Sequence, residues 1–169
     1  MNVLVIVLRI LHIGSGVFWV GASLVTGVYI SPALTVTGDA GQKVLAYLIT
    51  KARFSTAITV AAVLTVLAGG TLYWIDSQGL TSKWTFSGPG LGFALGGIAA
   101  LAGVVFGMIV GKHTTAFGRL AGQIDGRPTP EQLSAIQSAR KALSYAGPIS
   151  TVALVLALLL MATARYWVF

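Results

Sequence analysis

Four stretches of this sequence are each long and apolar enough to fill the hydrocarbon core of a bilayer, which is about 30 Å thick and takes roughly 20 residues of helix. They run over about 3–30, 54–75, 90–111 and 145–168. Backbone N–H and C=O groups find no water inside lipid, so each stretch is expected to be a helix. Of the 169 residues, 56% are hydrophobic and 9% charged, where a soluble domain averages about 45–50% and about 25%. That composition argues against a water-soluble monomer, and against disorder, which needs low hydrophobicity and high charge. Cysteine is absent, which removes a disulfide scaffold, thiolate metal sites, iron–sulfur clusters and thiol catalysis. The expectation is an all-α, integral membrane four-helix bundle, one transmembrane domain over residues 1–169, in contact with the lipid bilayer.

A net charge of +7 would suggest a nucleic-acid partner for a soluble protein, but here its distribution matters more than its sum. The connection 31–53 carries Lys43, Lys51 and Arg53, and the connection 112–144 carries Lys112, Arg119, Arg127, Arg140 and Lys141, whereas 76–89 holds only Lys83. Eight basic residues against one is a positive-inside pattern. It places both long connections in the cytoplasm and both termini outside, with no role for nucleic acid. Tyr73, Trp74, Trp84, Tyr166 and Trp167 then fall at the outer interface, where amphipathic rings prefer to sit. The first span lacks a basic n-region and a small-residue cleavage site, so it reads as a permanent helix and not as a signal peptide.

The two halves look like copies of one hairpin sharing one orientation. In the first, Asp39 and Gln42 have capping-box spacing and open a basic, apolar stretch from Lys43 to Arg53 that leads into a span ending in Tyr73-Trp74. In the second, Thr129 and Gln132 repeat the cap, Pro130 takes the first helical position, and the span ends in Tyr166-Trp167. The second and fourth spans should therefore continue beyond the membrane as amphipathic cytoplasmic extensions. Leu133, Ile136, Arg140 and Leu143 mark one face of the later extension, and Phe117, Leu120 and Ile124 offer it a surface. Gly147-Pro148 is a site for a kink in the fourth span.

Gly103, Gly107 and Gly111 recur every fourth residue, giving one smooth helix face that a second backbone can approach. Gly69-Gly70 and Gly96-Gly97 lie at similar depth by helical rise. Tight packing within the chain is one reading of these glycines. Others are a homodimer or larger membrane complex joined through Gly103, Gly107 and Gly111, or room for a flat cofactor or lipid.

Polar residues inside membrane spans are candidate sites. Arg9 and His12 are three apart on the first span, and Met161 and Arg165 four apart on the last, so each pair shares a helix face. The two spans run in opposite directions, which puts His12 and Met161 at similar depth with an arginine nearer the surface on each. Haem b suits that layout: His12 and Met161, or His12 of a second copy, as axial metal ligands, and Arg9 and Arg165 meeting the propionates. Trp19, on the His12 face, is either cofactor wall or filler. The competing account gives His12 a hydrogen bond to a neighbouring helix, Met161 ordinary packing, and the arginines a path to headgroups.

His113, beside Lys112 at the far end of its helix, is too distant from His12 to share a metal. A copper pathway would need several Met, His or Cys ligands, and only Met1, Met108 and Met161 are present besides the two histidines. Asp39, Asp76, Asp125 and Glu131 all fall outside the spans, which disfavours an ion-coupled pump. No phosphate loop, zinc-protease pair or hydrolase elbow occurs, and no catalytic residues are assigned. Besides a haem or electron-transfer subunit, the sequence leaves open a cofactor-free structural or accessory subunit and a small-molecule or metal transporter.

Leu11-His12 followed by Trp19 and Gly21, then Ser31-Pro32-Ala33-Leu34, resembles the opening of a group of bacterial four-helix membrane proteins. The group includes an uncharacterised family related to the copper-resistance CopD type and, more distantly, the HemJ type of protoporphyrinogen oxidase. Thr129-Pro130-Glu131-Gln132 and the run Met161 to Tyr166 look like late motifs of the uncharacterised family, so the resemblance covers the whole chain. It implies a four-helix bundle of the bacterial plasma membrane with an outward amino terminus. In HemJ-like members the first-helix histidine is associated with haem, an association that transfers to His12 alone. The spans hold fewer basic and histidine residues than HemJ has, which argues against porphyrinogen oxidation.

Overall fold

The computed structural model describes residues 3–121 and 128–169, except for the side chains of Asp39, Gln42 and Ala121. Arg127 and Ile124 lie outside the described residues. The described residues are all-helical, and four of the five helices among them are long and apolar enough to cross a membrane. We label them α1 (Val3–Val36), α2 (Asp39–Thr50), α3 (Phe54–Asp76), α4 (Gly88–Ala121) and α5 (Pro130–Thr163).

Helix α1 widens into a π turn over Thr26–Ile30 before resuming at Ser31. Pro32 has no N–H for the preceding turn and its ring crowds that turn's carbonyl, and a local π turn is one way a helix absorbs such a residue. The helix stops at Thr37, and Gly38 (φ +55°) turns the chain into α2. The capping position is thus Gly38, one residue before the expected Asp39, and it supplies no side-chain hydrogen bond.

The first basic stretch is a separate helix and not an extension of the second span. Lys51 and Ala52 both donate their N–H to the Tyr47 carbonyl, at 2.9 and 3.0 Å, and Arg53 adopts a left-handed φ of 49°. Those bonds close α2 and the left-handed residue redirects the chain before α3 begins. The second extension does form. Helix α5 opens with the expected capping box, Gln132 N–H to Thr129 Oγ1 at 3.3 Å and Thr129 N–H to Gln132 Oε1 at 2.9 Å, and runs on unbroken through Pro148. Its inward face agrees with expectation only at Ile136 and Leu143, which are half-buried. Leu133 and Arg140 are exposed, and Ala139, Ala142, Ala146 and Ser150 are buried instead. Small side chains let this helix approach the glycine-rich α4 closely, which bulky ones would prevent.

The long helices pack most extensively as two antiparallel pairs, α1 with α3 and α4 with α5. Trp19, only 4% exposed, ties the pairs together in a small core with Ala61, Ala62 and Leu154. At one end the aromatic rings gather: Tyr73 lies 5.5 Å from Trp84, which stacks on Phe93 at 6.3 Å. Trp167 packs over Gly88 and Gly92 at that end. At the opposite end, Ile49 of α2 rests on Gly118 of α4.

Candidate functional site

Inside the first pair, His12 turns toward α3. Its Nδ1 lies 2.8 Å from the Thr65 carbonyl oxygen. A carbonyl only accepts, so Nδ1 carries the proton, and in the neutral ring Nε2 keeps the lone pair. Gly69 makes this bond possible. It stands one helical turn beyond Thr65, where a side chain would cover the Thr65 carbonyl. A Cβ built on Gly69 would meet His12 Cε1 at 2.6 Å and Nδ1 at 2.7 Å. The glycine is in effect the seat of the imidazole.

Two hydroxyls complete the cluster. Thr65 Oγ1 donates to the Ala61 carbonyl at 2.7 Å and stands 2.9 Å from Ser15 Oγ, which also reaches the Leu11 carbonyl. Ser15 and Thr65 escaped the reading of the sequence. Their signal is spacing: Ser15 is three residues after His12, hence on its face, and Thr65 is one turn before Gly69.

The second pair repeats the device. Ser150 Oγ donates to the Gly103 carbonyl at 3.1 Å, and Gly107, one turn further along, leaves that carbonyl uncovered. Leu154 fits into the space over Gly103, its Cδ2 2.6 Å from where a Cβ would stand. The face of Gly103 and Gly107 is therefore covered by α5 of the same chain, as the tight-packing reading of these glycines expects. Gly111 has open space in front of it.

Met161 packs over Gly96, which a Cβ would bring to 2.7 Å from Met161 Cγ. His12 and Met161 each fill the notch of a glycine, but in different helix pairs: His12 between α1 and α3, Met161 between α4 and α5. Arg9 and Arg165 are exposed, and among the described residues neither takes part in an ion pair. Trp19 is buried in the small core between the pairs. Among the described residues no three His, Asp or Glu side chains gather into a metal-binding group.

No family model, curated protein or solved structure matches the chain. The likeness to the CopD and HemJ group thus stands on the quoted motifs alone.

Proposed function

We propose that the chain is a four-span bundle of the bacterial plasma membrane, with both termini outside, that serves as a b-type haem-binding, electron-transfer subunit with His12 as axial ligand. The membrane reading rests on the four long apolar helices and on the basic residues crowded into two of the three connections.

The haem reading rests on one observation, the Nδ1 bond from His12 to the Thr65 carbonyl. Metal-ligating histidines characteristically donate their other ring nitrogen to a carbonyl or carboxylate, which fixes ring and tautomer and leaves Nε2 for the metal. When bound, haem would supply one-electron chemistry. His12 would hold it, and Arg9, three residues away on the same helix face, would meet a propionate, with Arg165, beyond the end of α5, reaching the other only from the second helix pair. Met161, seated on Gly96, does not face His12 within a helix pair, so His12 of a second molecule is the other residue that would hold the haem iron.

A second reading is favoured by the filled glycine notches. With His12 over Gly69 and Met161 over Gly96, both side chains serve as helix-to-helix packing in a cofactor-free accessory subunit. An absorption spectrum of protein purified from haem-supplemented cells separates the two. A Soret band abolished by His12→Ala is the expected result, and a colourless preparation overturns the haem reading in favour of the second.

A further inference from the structure

Helix α2 keeps part of its apolar surface uncovered. Gly41, Leu45, Leu48 and Ile49 turn inward. Ala40, Val44 and Tyr47, spaced to form an adjacent stripe, remain exposed, Val44 by 51% and Tyr47 by 63%. The stripe continues into a groove of about 380 Å³ between α2 and the end of α1, walled by Tyr29, Ala33, Leu34, Thr37, Ala40 and Val44. That volume is of the size that takes a small apolar ligand. Lys43 and Lys51, both exposed, stand on the same helix and at its end. The two connections at this end hold eight basic residues against Asp39, Asp125 and Glu131.

An exposed apolar stripe bordered by lysines is the pattern of a helix lying in the interface of a membrane that carries negative headgroups. We propose that α2 is an interfacial helix that binds an anionic phospholipid, with an acyl chain along the groove walled by Tyr29, Leu34 and Val44 and the headgroup phosphate at Lys43 and Lys51. The charge settles the choice of occupant. A second copy would bring the same lysines to the contact, and a zwitterionic lipid, whose phosphate is already balanced by its own ammonium, would bring them no net negative charge. The inference depends on the four-span reading but not on haem.

The test uses the full chain, delipidated in detergent, reconstituted into vesicles of equal phosphatidylglycerol and phosphatidylcholine, and re-extracted for native mass spectrometry of retained lipid. Retained lipid should be enriched in phosphatidylglycerol. Each basic residue near a membrane surface contributes about 1 kcal/mol, or about five-fold, so Lys43→Gln and Lys51→Gln should each lower the enrichment by up to about that factor. Lys83→Gln, at the other end of the molecule, should leave it unchanged. Equal retention of the two lipids overturns the proposal, as does enrichment that survives the Lys43→Gln/Lys51→Gln double variant. A lipid-free dimer does so as well, by making a second copy the occupant. A chain that fails to float with the vesicles sinks the four-span reading itself, and is told apart by the absence of any bound lipid.

Discussion

His12 occupies the space that a side chain at residue 69 would need, its Cε1 2.6 Å from an ideal Cβ on Gly69. The same glycine uncovers the Thr65 carbonyl that His12 bonds. Gly69→Ala should therefore push the ring off its acceptor. Overpacking of this kind costs about 1–3 kcal/mol, read as a lower melting temperature in detergent. Gly70→Ala is the control, because nothing lies within 4 Å of a Cβ there. Any haem signal should fall in the Gly69 variant and persist in the Gly70 variant.

Leu154 and Gly103 form a knob and its socket. Leu154→Ala should cost about 2–5 kcal/mol, the range for emptying a packed site. Gly103→Ala alone should also destabilise, since its methyl would meet Leu154 Cδ2 at 2.6 Å. Combined, the two changes should cost less than their sum, because Leu154→Ala removes the atoms with which the Gly103→Ala methyl collides. Additive losses in a double-mutant cycle would show that the socket is not formed. Gly111→Ala, facing open space, should be neutral or slightly stabilising through helix propensity.

The amino terminus of α5 gives a pH dependence of known sign. Glu131 sits below its ordinary pKa of 4.5, first because of a hydrogen bond to backbone and second because of one with Thr129. A carboxyl whose folded pKa is depressed stabilises the fold above its unfolded pKa, and that contribution is lost as pH falls through the folded value. Stability should thus fall on acidification below about pH 4.5, and Glu131→Gln should flatten that part of the profile. Thr129→Ala, which removes the capping box, should cost about 1 kcal/mol by thermal unfolding.

The absence of native cysteine allows the proposed topology to be mapped one residue at a time. Gln78→Cys and Lys141→Cys both replace exposed side chains in the structure. An impermeant maleimide applied to intact cells should label the first and spare the second until the cells are broken. Equal labelling of both from outside contradicts the four-span arrangement.

The long apolar runs were plain in the sequence because hydrophobicity over roughly 20 residues is a bulk signal. The Thr129 capping box was equally plain, being a local hydrogen-bond pattern that needs no partner helix. What escaped depended on backbone. The turn at Arg53 takes a left-handed conformation that an arginine does not advertise, so α2 read as part of the following helix. The partner of His12 is a carbonyl, which every residue has, so nothing in the side-chain alphabet pointed to Thr65. The inward face of the α5 extension went to alanines and not to Leu133 and Arg140, because the gap between α4 and α5 there, not the size of the apolar group, decides what fits.

Over Val3–Val25, Trp19 is the one buried residue of α1. The His12 imidazole and the Ser15 hydroxyl add polar bonds to the packing of this helix on α3. Loss of those two bonds would leave α1 held on α3 by apolar packing alone, so the imidazole and the hydroxyl supply the directional part of the seam between the two helices.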